Sequence, residues 1–207
     1  RCFAHLPADG LRVVDIGGGD GANTALAVSA LGVPREQVVV ADILEQDLAK
    51  AAARYGFRTA VLPESGELPF QTGEFDVAFC SSVIEHVTIP KGDVWRVTSG
   101  KAFREGARAA QRAFANEIRR VGRYYFVQTP NRGFPIESHT WLPLIAVLPR
   151  PLLLRFLRAT NSFWIKKTNP DWYLLSRREL QSLFPEAQVL EERVGPFVKS
   201  IMAVKNP

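Results

Sequence analysis

The residues best equipped for chemistry cluster near the start of the chain. Asp15-Ile16-Gly17-Gly18-Gly19-Asp20-Gly21 follows an apolar run and precedes a helical pattern. Glycines at such a junction permit a sharp turn and let a ligand touch the main chain. The ligand then lies at a helix N-terminus, beyond the carboxyl ends of the strands. Gly17, Gly19 and Ala22 also satisfy the dinucleotide pattern G-x-G-x-x-A, so the turn alone admits two cofactor classes. Charge discriminates between them. A nicotinamide dinucleotide would press its anionic pyrophosphate against Asp15 and Asp20, where like charges repel. S-adenosylmethionine brings a sulfonium and an ammonium that carboxylates favour, while its own carboxylate can use the helix N-terminus. Asp42 stands 21 residues after Gly21. A carboxylate there can accept from both ribose hydroxyls in either class.

A second set of residues could serve an acceptor. Methyl transfer from a sulfonium is an in-line displacement for which the protein chiefly supplies alignment. A base is needed only where the acceptor must lose a proton. His86, in Ile84-Glu85-His86-Val87, and His139, with Glu137 close by to orient it, are the two candidates. Asn131 and Arg132 follow a predicted strand end and face the expected pocket opening. Arg132 would suit a carboxylate or phosphate. The Thr129-Pro130-Asn131-Arg132 order is not the Asn-Pro-Pro-aromatic signature of nucleic-acid amino methyltransferases, which argues against a nucleic-acid partner.

The elements that must carry these residues alternate. Strands are predicted at Leu11–Ile16, Gln37–Asp42, Arg58–Leu62, Phe75–Cys80 and Arg123–Gln128, and the last two near Ala187–Arg193 and Val198–Val204. Helices are predicted at Ala22–Leu31, closed by Gly32, and at Glu45–Arg54, ended by Gly56. A longer one spans about Ala102–Val121, where Phe103, Ala107, Ala110, Phe114, Ile118 and Val121 share a face. Ser176-Arg177-Arg178-Glu179 reads as a capping box opening a helix that Pro185 stops. Strand–helix alternation implies an α/β, doubly wound, Rossmann-like sheet of seven strands, mostly parallel, with an antiparallel C-terminal pair.

Bulk properties narrow the class. The 207 residues are enough for a single domain over 1–207, and 46% apolar with 23% charged is ordinary for a globular chain. The net charge of +5 is a weak pointer to an acidic partner. Cys2 and Cys80 make neither a disulfide framework nor a zinc site, which favours a reducing, cytoplasmic setting. No signal peptide is read, and the longest uncharged apolar stretch, Trp141–Pro149, is too short to span a membrane.

Taken in order, three pieces make the chain resemble the class I S-adenosylmethionine-dependent methyltransferases, nearest to the small-molecule branch that includes quinone-biosynthesis enzymes. They are Val13–Gly21, then Leu68-Pro69-Phe70 with Glu74–Val87, and the element order from Leu11 to the C-terminus. The resemblance implies that Gly17, Gly18, Gly19 and Gly21, with Asp15, border the methionine end of S-adenosylmethionine. It implies that Asp42, with Ile43 beside it, holds the ribose, and that Glu64 and Ser65 lie near the adenine, Glu64 standing where the family often has Asp. Ser81 and Ser82 are expected to border the methionine end. The chain opens on Arg1, and the first motif starts ten residues in. Family members often carry an N-terminal helix over the cofactor, and the short lead here is expected to reflect a truncated start or an open cofactor site.

The resemblance does not cover residues 131–173. Their apolar runs, broken by Pro143, Pro149 and Pro151, and their aromatics Phe163, Trp164, Trp172 and Tyr173 beside Lys166 and Lys167, read as a lid on the acceptor side. The small-molecule acceptor is then apolar or lipid-like. The alternatives are short helices that simply pack over the sheet, and a patch making peripheral membrane contact. Two other functions share the turn and Asp42: a nicotinamide-dependent oxidoreductase, and a non-catalytic S-adenosylmethionine-binding module. The oxidoreductase reading leaves Asp20 and the closing strand pair unexplained.

Overall fold

A computed structural model describes residues 10–143, 145 and 148–207; Cys2 and His5 lie outside them. Seven strands form one sheet: β1 (Val13–Ile16), β2 (Val38–Asp42), β3 (Arg58–Val61), β4 (Phe75–Ser81), β5 (Gly122–Pro130), β6 (Gln188–Val194) and β7 (Phe197–Lys205). Their order across the sheet is β3-β2-β1-β4-β5-β7-β6. The first five run parallel, while β7 pairs antiparallel with both β5 and β6. The chain reverses its direction of travel between β1 and β4, and a ligand crevice opens where two neighbouring strands feed helices on opposite faces. The predicted fold class, strand count and antiparallel final pair all hold.

Among the described residues there are five α-helices, α1 (Ala22–Leu31), α2 (Glu45–Tyr55), α3 (Gly100–Val121), α4 (Arg150–Thr160) and α5 (Arg177–Leu183). Val28 of α1 and Leu48 and Ala51 of α2 pack with Val38, Val40 and Val77 on one face. Phe103, Ala107, Phe114 and Ile118 of α3 and Leu180 and Leu183 of α5 pack with Val14, Ile16 and Tyr125 on the other. β2 is buried on both faces, which is why Val38-Val39-Val40-Ala41 is continuously apolar instead of alternating. A third, smaller cluster joins Ile145, Leu153, Leu157, Trp172 and Leu174 beneath the 131–173 segment.

The differences from the predicted boundaries have local causes. β1 starts at Val13 because the Arg12 amide donates to the Asp76 carboxylate, 2.9 Å away, not to a strand partner. α3 starts at Gly100, two residues before the expected Ala102, because Ser99 supplies the cap and accepts from the Ala102 amide. Gly32 and Gly56 close α1 and α2 in the left-handed conformation, as expected. Ser176 and Glu179 form the predicted capping box of α5. Pro151 does not break α4; it occupies the first turn, where its missing N–H has no intrahelical partner to lose.

Candidate functional site

The carboxyl ends of β1, β2 and β4 open onto a cavity of about 620 Å³, within the range of about 300–1,000 Å³ common for ligand pockets. Gly17 and Ser82 border it at the switch point. Asp42 and Ile43 border it after β2, and Glu64, Ser65 and Gly66 after β3. Its walls are largely apolar, from Leu62, Leu68, Val83, Val87, Ile89 and Phe114. Ala110, expected in the sheet-facing stripe of α3, lines this cavity with Phe114.

The turn after β1 is built for close approach. Gly17 has φ +76, and a Cβ there would lie 2.2 Å from Val83 Cγ2. Nothing but glycine fits without moving the cavity wall. The Gly19 amide donates to Asp42 Oδ2 at 2.9 Å, and the Leu44 amide donates to Oδ1 at 3.0 Å. Asp42 thus fixes the glycine turn and the entry to α2, while each of its oxygens keeps a second lone pair for a ligand hydroxyl. Asp20 accepts from the Ala22 amide at the start of α1.

Asp15 is placed differently from its neighbours. Its side chain turns behind the glycines and accepts from Thr24 Oγ1 at 2.5 Å. Burial pushes its carboxyl up; the Thr24 hydrogen bond opposes this and the nearby Asp42 charge adds to it, leaving it at about 6. It is not among the residues bordering the cavity. Gly18 packs tightly over it, since a Cβ at Gly18 would meet Asp15 Oδ2 at 2.9 Å.

Past β4, Ser82 adopts φ 57, a left-handed conformation that costs a non-glycine residue energy. Gln128 of β5 holds it there. The Gln128 side-chain oxygen accepts from Ser81 and Ser82 hydroxyls at 2.8 and 3.0 Å, and its carbonyl accepts from the Ser82 amide at 2.9 Å. Sequence reasoning passed over Gln128. The available signal was a polar residue inside an otherwise apolar strand.

Both candidate histidines come together at one end of this cavity. Their rings meet edge to face, with centroids 4.6 Å apart. His86 borders the cavity, and its Nδ1 lies 3.2 Å from Asp171 Oδ1. His139 lies behind it, with Nδ1 2.5 Å from Glu137 Oε1, and stacks on Trp172. Burial raises the Asp171 carboxyl, but the hydrogen bonds from His86 and Lys91 outweigh this and bring it down to about 2. Burial likewise raises Glu137, and hydrogen bonds from His139 and Thr140 outweigh it and lower it. Asp171, hidden in an unremarked Asn-Pro-Asp-Trp stretch, gave no sequence signal.

Asn131 and Arg132 stand apart from this group. The Asn131 amide donates to the Val198 carbonyl. Arg132 donates to the Leu174 carbonyl and to Glu179, and lies 4.6 Å over the Tyr173 ring. Two buried polar residues tie the 131–173 segment to the turn after β4 and to the chain before α3. Gln111 of α3 donates to the Ile84 and Tyr173 carbonyls, both at 3.0 Å. Arg150 donates to the carbonyls of Val97, Pro170 and Val94, and burial brings it down to about 10. Among the described residues, no helix is long and apolar enough to cross a membrane.

The comparisons with known proteins agree with this geometry. The family described as "Methyltransferase domain" matches residues 14–123. No curated protein sequence matches the chain. Among solved structures, the CurJ carbon methyltransferase aligns at TM-score 0.57 and 16% identity, over 98% of this chain and 50% of that one. An S-adenosylmethionine-dependent methyltransferase from Mesorhizobium loti aligns at TM-score 0.55 and 15% identity, over 98% of this chain and 94% of that one. Phosphoethanolamine N-methyltransferase 2 of Haemonchus contortus, solved with phosphomonomethylethanolamine and S-adenosylhomocysteine, aligns at 0.53 and 18% identity, over 88% of this chain and 35% of that one. The chain thus spans half the length of the first and about a third of the last. At these identities the likeness is one of fold.

Proposed function

Because the chain belongs to the methyltransferase-domain family, we propose that it transfers a methyl group from S-adenosylmethionine, the cofactor of that family, to a small acceptor. Family membership favours this donor over the nicotinamide dinucleotide that the glycine turn also admits. The observation that carries the proposal is the cavity at the switch point, bordered by Gly17, Asp42, Glu64 and Ser82. These residues fit the cofactor. Gly17 lacks the Cβ that would close the turn. Asp42 keeps lone pairs for ribose hydroxyls, and the Glu64–Ser65 stretch can meet an adenine. Asp15 would act from behind the turn, through charge and not contact. The bound cofactor supplies an activated methyl, and the chain's part is to align it with the acceptor and keep water out.

The acceptor enters from the His86 side, under the 131–173 segment. His86 meets its reacting group, held by Asp171, and His139 with Glu137 supports His86 from behind. The apolar walls support an apolar or lipid-like acceptor, as the quinone-biosynthesis-like branch would take. Exposed Phe163 (73%) and Ile165 (86%), with Trp141 under the Lys166 ammonium, support peripheral contact with an anionic membrane during acceptor capture. Flotation with anionic vesicles tests that contact, and no co-flotation would remove it.

The central test is ligand-dependent melting. S-adenosylhomocysteine at about a hundred times its Kd should stabilise the protein by ~2.7 kcal/mol, a rise of about 5–10 °C for a chain of this size. NAD should leave the melting temperature unchanged. A rise with NAD alone would overturn the proposal, as would the absence of methyl transfer to every pool of small apolar hydroxyl, amine and carbon acceptors.

A further inference from the structure

One buried carboxyl is only half partnered. Glu85 is completely buried in the turn after β4. Its Oε2 accepts from Thr129 at 2.9 Å, but Oε1, equally buried, has no hydrogen-bond partner. A lone carboxylate oxygen in such a place is costly unless something positive meets it. Two imidazoles stand beside it, and one donor atom from each of Glu85, His86 and His139 lies within 4.8 Å of the others.

The imidazoles are prepared in the same way. His86 directs Nδ1 at Asp171 and His139 directs Nδ1 at Glu137. A neutral ring that donates from Nδ1 keeps its lone pair on Nε2. Carboxylates behind metal-binding histidines set the tautomer and ring orientation in this way. Trp172, stacked within 9° of parallel, fixes the plane of His139. The Glu137 and Asp171 carboxylates behind the two rings add negative charge beside the site.

We propose that Glu85, His86 and His139 form a binding site for one divalent transition-metal ion of the zinc class. Two imidazoles and one carboxylate suit zinc-like ions and not magnesium or calcium, which prefer all-oxygen shells. Three protein ligands would leave a coordination position open, and one of the three, His86, borders the cavity. Bonds of about 2.0–2.2 Å put tetrahedral ligand atoms about 3.4 Å apart, so the side chains must close by about an ångström. The lone pair that His86 gives to an ion is unavailable to a proton; with the ion bound, an acceptor hydroxyl would be polarised by the ion. The site itself does not depend on the methyl-transfer reading.

The test is titration of the chelator-stripped full chain with Co²⁺. Visible d–d absorption saturating at one ion per chain is expected, with Zn²⁺ abolishing the bands. His139→Ala and Glu85→Gln should weaken Co²⁺ binding at least tenfold, yet leave the melting shift with S-adenosylhomocysteine intact. Should His139→Ala fail to fold, His139→Gln carries the same expectation. A cooperatively folded protein with no bands would overturn the proposal. So would bands that survive both His139 and Glu85 substitution, which would place the ion elsewhere. Intact bands without any S-adenosylhomocysteine shift would sink the cofactor reading and leave the ion site standing.

Discussion

Asp15→Asn is the substitution whose outcome the structure specifies most fully. The wild-type carboxyl is buried with Thr24 as its hydrogen-bond donor and Asp42 nearby, and it is held at about 6 against an ordinary 3.8. Because its value is raised in the folded protein, the native state keeps a proton there that the unfolded chain has lost. The associated stability is fully present below about pH 4 and is lost as pH rises through 6. The gap between 3.8 and about 6 corresponds to about 3 kcal/mol. Asparagine cannot ionise, so the variant should escape this loss. Its Oδ1 can still accept from Thr24, and any cost of its added N–H groups is the same at every pH. Thermal unfolding of both proteins from pH 4 to 8 therefore isolates the effect as a change in their difference. The variant should gain on the wild type by about 6–12 °C between pH 4 and 7.5. A difference that stays flat across that range would refute the burial argument. The variant also tests charge at a distance. If ionised Asp15 assists the sulfonium, Asp15→Asn should weaken S-adenosylmethionine more than neutral S-adenosylhomocysteine, as calorimetry would show.

Gly17→Ala should abolish the S-adenosylhomocysteine melting shift and destabilise the protein by at least ~1 kcal/mol, because its Cβ collides with Val83 at positive φ. A variant that binds normally would show that the turn is looser than described. Asp42→Ala should weaken S-adenosylhomocysteine binding by about 10–100-fold, since it removes the acceptor for Gly19 and Leu44 as well as the proposed ribose contact. Isothermal titration measures this. Arg132→Ala should lower the melting temperature through loss of the Leu174 and Glu179 links but leave acceptor KM unchanged; a rise in KM with stability intact would return Arg132 to the acceptor site. Asp171→Asn should remove a contribution to stability that is present above pH 4 and fades as pH falls toward 2, because Asp171 is lowered to about 2. Acid unfolding of the two proteins should therefore converge at low pH.

The glycine-turn end of the cavity was legible because its signals are local. A glycine turn between a strand and a helix, an acid ending β2 and the capping box of α5 each rest on a few consecutive residues. The mostly parallel sheet followed from strand–helix alternation, while the order of its strands was not read from the sequence. The histidine end was not legible in the same way, because its contacts span long separations. His86 meets Asp171 across 85 residues, and His139 reaches His86 only after the 131–173 segment folds over. Asn131 and Arg132 were drawn to the pocket by their position at the end of β5. The structure instead joins them to β7 and α5, because β7 runs alongside β5 and α5 packs nearby. Gln111 and Arg150 escaped attention because a polar residue on a helix is ordinarily solvated, and nothing local reveals that five distant carbonyls need donors.

Gln111 sets a rule for re-engineering the molecule. One carboxamide grips the turn carrying His86 and the strip entering Tyr173, so the two cannot be exchanged independently. A chimaera that imports a foreign loop to accept a different molecule should cut after Pro130 and rejoin before Pro170. That keeps Asp171, Trp172 and Tyr173 native, and the graft must restore counterparts of Glu137, His139 and Arg150.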